Sequence, residues 1–278
     1  MALSIHTNYS SLITQTNLSK TNNALGTNQQ RLGTGLRINS AADDAAGLQI
    51  ATRLNAQSRG MGVAMRNTSD AVSLLQTAEG AFNEMTDILQ RMKDLATQSA
   101  NDTNSADDRT ALQAEFTELN AELTNIVSNT KYAGTALFDT TGFAAAMSFQ
   151  IGSSSAETLE LDLTGELTAV TDALADNAAD TLDDAANSRT AMDNLETTLA
   201  AVGTMRAAFG ANINRLNHTA SNLANMKDNT EMAKGRIMDA DFASESANMT
   251  KNSMLMQSGI SMLKQAGQMP SMVMGLLG

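Results

Sequence analysis

The chain has 278 residues and a formal net charge of −12, from 18 lysines and arginines against 30 aspartates and glutamates. This acidic balance argues against nucleic acid as a partner, because phosphate binding needs a basic face. There is no cysteine and there are only two histidines, which excludes disulfides and thiolate metal sites and leaves too few ligands for a multi-histidine centre. Few aromatic residues, one proline and 18 methionines are typical of long helices.

The first predicted element is an amphipathic helix near the N-terminus. Its apolar repeat of seven residues consists of Leu18, Leu25 and Leu32. The stretch RLGTGLRINSAADDAAGLQIATR, Arg31 to Arg53, follows. Gly33 and Gly35 fit neither the dinucleotide-binding nor the P-loop pattern, and no strand precedes them. We therefore interpret both glycines as the break that ends this helix.

The same stretch predicts the start of the next helix. We expect Ser40 to be its N-cap, with Asp43 and Asp44 in the first turn, where the helix dipole favours carboxylates. The two aspartates could hold a metal only with further ligands, and no histidine or cysteine is nearby. We expect Gly47 and the neighbouring alanines to let another helix approach closely.

Three apolar stripes at steps of three and four residues predict three helices, of which the second is short. We expect the first helix to run from about Asp43 to about Ala100, and the second to fold back along it after a short linker. The third stripe, from Leu195 to Ile237, has a mean spacing near 3.5 residues, which indicates a left-handed coiled-coil seam. The first stripe is Met65, Thr68, Val72, Leu75, Ala78, Phe82, Met85, Leu89, Met92 and Ala96, and the second is Leu112, Phe116, Leu119, Leu123, Ile126 and Thr130.

Between the second and third helices the apolar period changes to two. Alternation from Met147 to Ile151 and from Leu159 to Leu163, around the turn-rich GSSSAE, predicts a β-hairpin with one apolar face. Ten acids and no lysine or arginine lie between Tyr132 and Ser188. This segment is the predicted solvated face, and the sequence leaves its second half open between a short helix and an acidic loop. The near-neutral remainder is better suited to packing against copies of itself.

The C-terminal stretch NSMLMQSGISMLKQAGQMPSMVMGLLG holds six of the 18 methionines. Its apolar residues cover more than one helix face, so we expect another copy or a chaperone to complete the core. Membrane insertion fits less well, because Lys264 and three glutamines interrupt the run and no 18-residue apolar stretch exists.

No arrangement of residues predicts catalysis. His218 lies on a strongly periodic helix, His6 lies in a polar terminus, and Tyr9 and Tyr132 have no catalytic neighbours in sequence. The chain contains no nucleophile elbow and no zincin motif. We predict that the protein is not an enzyme, needs no cofactor, and neither binds nucleic acid nor inserts into a membrane.

Several long motifs, in order, resemble bacterial flagellin, the subunit of the flagellar filament. Thr7-Asn8, Ser11-Leu12 and Gln15 are similar to the opening motif of that family. RLGTGLRINSAADDAAGLQIATR is similar to its next block, with departures at Gly33, Thr34 and Gln49. Further resemblances lie in Ala64 to Asp102, in TKYAGTALF, taken as the end of the second helix, and in MRAAFGANINRLNHTASNL, RIMDADFASESANMTKN and GISMLKQAGQMPSMVMGLLG.

The resemblance implies a mainly α fold: a long coiled-coil-like helical rod with paired N- and C-terminal helices and one small β-hairpin region. We expect residues 1–44 and 239–278 to form an inner terminal coiled-coil domain. Residues 45–165 and 187–238 would form the helical domain with the hairpin. Residues 166–186 would be an acidic exposed connection, with no large outer domain.

The resemblance also implies the function and the partners. We expect an extracellular structural subunit that self-assembles into the helical flagellar filament for swimming motility. We expect type III export without a cleaved signal peptide, since MALSIHTNYS has no charged and apolar leader. Implied partners are further copies of the chain, an export chaperone, the cap and junction proteins, and a host innate immune receptor.

Two sets of residues carry these expectations. The family positions for receptor recognition match Gln90, Arg91, Leu95 and Glu115. The expected assembly contacts are Leu18, Leu25, Leu32, Arg37, Asp43, Asp44, Gly47, Met262, Leu263, Met269, Met272, Leu276 and Leu277.

Three alternatives belong to other classes. A flagellar hook–filament junction protein would form a short ring and would not polymerise. A membrane-active type III secreted helical protein would use the methionine-rich tail. A filament-bound hydrolase is the weakest alternative, because no catalytic set is present.

Overall fold

The computed structural model describes residues 8–277, with side chains over 8–268. His6 and the side chains of Met269, Met272, Leu276 and Leu277 therefore lie outside the described part. Within that part the helices are α1 (Tyr9–Thr34), α2 (Ala45–Ser99), α3 (Ala106–Asn129), α4 (Thr164–Ala179), α5 (Ala185–Met238) and α6 (Phe242–Leu277). The strands are β1 (Lys131–Tyr132), β2 (Thr135–Ala136), β3 (Met147–Gln150) and β4 (Thr158–Leu161). The fold is mainly α, as the sequence predicts.

The chain divides into two units. The first is drawn from Met1–Ala56 and Asn229–Gly278, and the second is Gln57–Asp228. Helices α2 and α5 each contribute residues to both units. The first unit contains the helix pair α1 and α6, and the second contains α3, α4 and all four strands.

The predicted stripes form the core of the second unit. Residues from α2, α3 and α5 meet in one continuous apolar cluster. Five of the seven phenylalanines are buried in it, and Phe82 makes edge-on ring contacts with Phe138 and Phe209 at centroid distances of 5.2 and 5.5 Å. The predicted stripe residues that are fully buried are Thr68, Leu75, Ala78, Phe82, Met85, Leu89, Met92, Ala96, Phe116, Leu123, Leu195, Val202, Met205, Phe209, Leu216 and Leu223.

The predicted hairpin forms with the expected faces. Strands β3 and β4 pair antiparallel, with Met147 opposite Leu161 and Phe149 opposite Leu159. A second small hairpin is a difference from prediction, because TKYAGTALF is not the end of a helix. Helix α3 stops at Asn129, and β1 and β2 pair around Ala133 and Gly134, which both have positive φ.

The acidic segment that the sequence left open is helix α4, and it is not wholly exposed. Its buried residues are Leu167, Val170, Ala173 and Asn177, at helical spacing, while acids such as Asp172 and Asp176 face solvent. The apolar face packs against the core of the second unit. The segment is therefore an amphipathic helix whose charge lies on the outer face.

A polar contact closes the C-terminal end of α4. The Asn177 amide nitrogen donates to the Thr198 hydroxyl at 2.8 Å, and the Asn194 amide donates to Oδ1 of Asp180 at 2.9 Å. Among the described residues, Oδ1 of Asn177 and Oδ2 of Asp180 are buried without a hydrogen-bond partner. Burial raises the pKa of Asp180, the Asn194 hydrogen bond opposes that shift, and the charge of Asp176 adds to it.

We predict that Asp180→Asn raises the melting temperature at pH 7. Because the pKa of Asp180 is higher in the folded than in the unfolded chain, its charge destabilises the fold above that pKa and costs nothing once the pH falls below about 3.8. The gain should be about 1 kcal/mol or less at pH 7, and it should shrink as the pH falls. Thermal unfolding followed by circular dichroism from pH 3 to pH 8 measures it.

The control is Asp172→Asn, on the exposed side of the same helix. It should leave the melting temperature at pH 7 close to that of the wild type. If the melting temperatures of Asp180→Asn and of the wild type differed by the same amount at every pH, the charge of Asp180 would not destabilise the fold.

Candidate assembly interface

The stretch between α1 and α2 is a joint built by backbone and cap hydrogen bonds. Gly35 caps α1 with φ 72°, a left-handed conformation that favours glycine, and its amide donates to the Arg31 carbonyl. Gly33, which was predicted to share the break, lies inside the last turn of α1. The chain leaving α1 then pairs with the chain between α5 and α6, through an isolated antiparallel bridge of Leu36 with Asp239.

The cap of α2 differs from the prediction. Ser40 does not cap the helix, because the Asp43 carboxylate bonds back to the amides of Asn39 and Ser40 and to the Ser40 hydroxyl. The Ser40 amide is the main cause of the lowered pKa of Asp43, followed by the Asn39 amide. Asp44 is the actual cap, since its Oδ1 accepts from the Gly47 amide at 2.8 Å.

Gly47 is buried, and its own chain fills the space around it. A Cβ there would lie 2.5 Å from Oδ2 of Asp44 and 2.9 Å from Cδ1 of Ile38. A side chain at position 47 would therefore have to displace the Asp44 carboxylate that caps the helix and the end of the fully buried Ile38. The physical need for Gly47 comes from this joint.

Helices α1 and α6 pair antiparallel along a seam in which apolar and polar residues are mixed. Their shielded residues recur at steps of three and four: Ser11, Thr14, Leu18, Thr21, Leu25, Asn28, Arg31 and Leu32 on α1, and Glu245, Met249, Asn252, Met256, Gly259, Leu263 and Ala266 on α6. A Cβ on Gly259 would lie 3.1 Å from Cδ1 of Leu18, so glycine makes room for that leucine. At one end, the Asn8 amide donates to the Ala266 carbonyl at 2.7 Å.

A polar clasp of four residues closes the other part of the seam. Glu245 is 9% exposed; its Oε1 accepts from Arg31 at 3.0 Å, and its Oε2 accepts from Asn28. The Asn252 amide in turn donates to Oδ1 of Asn28 at 3.0 Å. Buried polar groups of this kind specify register in coiled coils, because a shifted pairing would leave them without partners.

Both helices turn large apolar side chains away from the seam. Tyr9, Leu12 and Ile13 share one exposed face of α1, with exposures of 66%, 50% and 44%. On α6, Leu255 and Met262 are seven residues apart and lie on one face with Met254, the three being 49–61% exposed. Among the side chains described in the first unit, the only fully buried hydrophobic ones are Ile38, Ala51 and Ala266. We call Tyr9, Leu12, Ile13, Met254, Leu255 and Met262 the outer apolar face.

Metal-ligating and titratable side chains are dispersed in the described part of the chain. Over those residues no group of three or more histidine, cysteine, aspartate or glutamate side chains is placed to bind a metal ion. His218 is exposed on α5, in an open groove of about 500 Å³ that Arg215 and Glu157 also line. Among the helices searched, none combines the length and the apolarity needed to cross a membrane.

Comparison with protein families identifies the family to which the chain belongs. The bacterial flagellin N-terminal helical region matches residues 5–142, and the bacterial flagellin C-terminal helical region matches residues 192–277. The chain belongs to the bacterial flagellin family. This is a family of structural proteins, and its name agrees with the resemblance in the sequence motifs.

Individual flagellins are similar over most or all of this chain. Flagellin A of Vibrio anguillarum is 36% identical over 381 aligned residues, covering 100% of both chains. That alignment is longer than this chain, so the relative carries residues that this flagellin-family chain lacks. A flagellin of Halalkalibacterium halodurans is 43% identical over 249 residues, covering 89% of this chain and 90% of the relative.

Solved structures agree with the fold. The crystal structure of Bacillus cereus flagellin has a TM-score of 0.50 at 34% identity, covering 57% of this chain and 88% of that chain. A structure described as a flagellar hook-associated protein from Vibrio parahaemolyticus has a TM-score of 0.57 at 15% identity, covering 71% of this chain and 100% of that one. The second likeness shows a shared fold alone.

The residues expected at assembly contacts occupy different places in this flagellin-family chain. Met262 belongs to the outer apolar face. Those in the seam within the chain are Leu18, Leu25, Leu32 and Leu263, and those in the joint are Arg37, Asp43, Asp44 and Gly47. Arg37 is tied there by its guanidinium, which donates to the Ile237 carbonyl at 2.9 Å. The exposed residues Tyr9, Leu12, Ile13, Met254 and Leu255 were not among the expected assembly contacts, although their helical spacing could have indicated one face on each helix.

The positions expected at receptor contacts are only partly at the surface. Gln90, Arg91 and Glu115 are exposed, and Arg91 binds Oε1 of Glu115 through Nε at 2.8 Å and Nη2 at 2.7 Å. Leu95 is 1% exposed and lies in the core, so its side chain cannot touch a partner in this conformation. The structure thus joins α2 and α3 at an exposed ion pair and places Leu95 beneath that surface.

We predict that Glu245→Ala loosens the pairing of α1 and α6. The substitution leaves Arg31 and Asn28 without their shared acceptor, which should cost about 2 kcal/mol. Limited proteolysis should cut α1 and α6 faster than in the wild type, and circular dichroism should show helix loss at a lower temperature. Glu84→Ala, at an exposed site on α2, is the control and should leave both measurements unchanged. Equal cleavage rates for wild type and Glu245→Ala would contradict a structural role for the clasp.

Proposed function

We propose that this protein is the structural subunit of a helical bacterial flagellar filament, that it assembles with further copies of itself, and that it serves swimming motility. The observation that carries the proposal is the outer apolar face. Among the described side chains of α1 and α6, Ala266 is the one buried hydrophobic residue, whereas the six residues of the outer apolar face are exposed, so the pair is incomplete as a separate unit. Neighbouring copies of the same pair would supply the missing contacts.

The energetics favour many contacts acting together. Covering one half-exposed leucine or methionine contributes about 1 kcal/mol, whereas associating two molecules costs roughly 4–15 kcal/mol. No single residue of the outer apolar face can therefore drive assembly. The set on α1 and α6 can do so when each subunit touches several neighbours, as in a helical polymer.

The role is structural and does not include catalysis. Family membership and the outer apolar face both support a filament subunit more directly than they support a junction protein or a membrane-active protein. We infer an extracellular location in the filament and export by the flagellar type III route. A chaperone that covers the apolar residues of α6 before export, and the cap and junction proteins at the filament ends, are the further partners we infer.

We predict that Leu255→Asp combined with Met262→Asp abolishes polymerisation. Both side chains point away from α1, so the variant should keep its helical circular dichroism while a charge replaces each apolar contact. Negative-stain electron microscopy after salting-out should show long filaments for the wild type and none for the variant.

The matched control is Gln257→Asp combined with Ser253→Asp. These exposed polar residues lie on the same helix but on a different face. The control should polymerise. Normal filaments from the Leu255→Asp, Met262→Asp variant would remove the outer apolar face from the proposal.

We further propose that the monomer engages a host innate immune receptor through the surface around Gln90, Arg91 and Glu115. The exposed Arg91–Glu115 pair joins two helices at this surface and supports the assignment that the family resemblance makes. Arg91→Ala should lower the response of receptor-expressing reporter cells to pure monomer by about tenfold, the effect of losing about 1.4 kcal/mol of binding. Arg66→Ala, at another exposed arginine of α2, is the control and should keep the wild-type response. No response to wild-type monomer would reject the receptor assignment.

A further inference from the structure

The described methionines of this chain range from fully buried to more than half exposed. Met61, Met85, Met92 and Met205 are at most 1% exposed, inside the second unit. In the first unit, Met232 and Met262 are 55% exposed and Met254 is 61% exposed. The chain has neither cysteine nor tryptophan, so its methionine thioethers are the side chains most readily oxidised by a mild oxidant.

The exposed methionines lie where oxidation changes the surface most. Met254 and Met262 make up two of the three exposed apolar residues on one face of α6, beside Leu255. Their sulfur atoms contribute apolar, adaptable contact area only while they stay in the thioether form. Met232 adds a third exposed thioether on the part of α5 that belongs to the first unit.

We propose that Met232, Met254 and Met262 are the oxidation-sensitive modification sites of this chain, and that their conversion to methionine sulfoxide prevents the subunit from assembling. The consequence for assembly rests on the proposed filament function, whereas the sites themselves rest on exposure and chemistry alone. The co-reactant is a peroxide, and the reverse reaction needs a methionine sulfoxide reductase with a thiol reductant.

The oxidation needs only hydrogen peroxide and the methionine thioether, and no other group of the protein takes part. The thioether sulfur donates an electron pair to one oxygen of hydrogen peroxide, the O–O bond breaks, and the S–O bond forms. The displaced oxygen leaves as water with both peroxide protons. Sulfur is oxidised by two electrons and the peroxide is reduced by two.

The structural consequence follows from the polarity of the product. A sulfoxide oxygen is a strong hydrogen-bond acceptor, and covering it with the apolar side chains of a neighbouring copy would leave it without a donor. The buried methionines of the second unit would stay reduced under mild conditions, because peroxide reaches them only when that core opens. Oxidation would therefore change the surface of the first unit and leave the fold of the second unit intact.

The test combines mapping with assembly. Monomeric full-length protein is treated with dilute hydrogen peroxide, sampled over time and mapped by peptide mass spectrometry, since each sulfoxide adds one oxygen atom to its peptide. Sulfoxide should accumulate at Met232, Met254 and Met262 before Met61, Met85, Met92 or Met205. The treated protein should lose filament formation on salting-out, and methionine sulfoxide reductase should restore it.

Two variants identify the residues responsible. The triple variant Met232→Leu, Met254→Leu, Met262→Leu keeps the apolar volume without the sulfur, so it should polymerise both before and after peroxide treatment. Met226→Leu removes an exposed methionine of the second unit and should remain as sensitive as the wild type.

The outcomes separate the two proposals. Oxidation of the exposed and the buried methionines at the same rate would contradict the proposed modification sites. Filaments from wild-type protein fully oxidised at the three positions, or lost assembly in the treated triple variant, would overturn their role in assembly. Failure of untreated wild type to polymerise would reject the proposed function, and the mapping would still decide whether the sites exist.

Discussion

Two paired helices can bury only the faces on which they meet, and this constraint governs the first unit. The seam between α1 and α6 contains threonine, asparagine, glycine and a Glu245 clasp among its leucines and methionines. It fixes the register of the pair more than it adds apolar burial. The large apolar residues that remain point outward, and nothing within the pair can cover them. A subunit of this kind is completed by its neighbours.

The second unit, in contrast, buries its large apolar residues in a core of its own. Three long helices, the hairpin of β3 and β4 and the helix α4 enclose a continuous core, to which phenylalanines from α2, α5 and the segment after β2 contribute. Such a core gives a unit its own stability, whereas a helix pair with little buried area opens at a low free energy. The protein thus combines a unit that has a continuous apolar core with one that buries few hydrophobic side chains, which suits the proposed assembly.

Some elements of the fold could be predicted from the sequence and others could not. The stripes at steps of three and four predicted α2, α3 and α5 within a few residues, except that α5 begins about ten residues before its predicted stripe. The alternation around GSSSAE predicted the faces of β3 and β4 correctly. The N-cap was assigned to the wrong residue, because Asp43 bonds back to Asn39 and Ser40 in a turn that competes with helix capping. The sequence left α4 open between a helix and a loop. The ten acids of the acidic segment indicate exposure to solvent, and only four positions of α4, at helical spacing, are buried.

The sequence by itself determined the family, the mainly helical fold and the residues that share a face of each helix, because periodicity fixes the angle of a side chain about its own axis. It could not determine which face meets which partner. Only the tertiary structure decided that Leu18, Leu25 and Leu32 lie along the seam within the chain, while Met254, Leu255 and Met262 lie outside it. The same holds for Glu245, whose partners are more than two hundred residues away along the chain. Contacts between such distant segments depend on how the helices pack, and a pattern local to one helix carries no information about them.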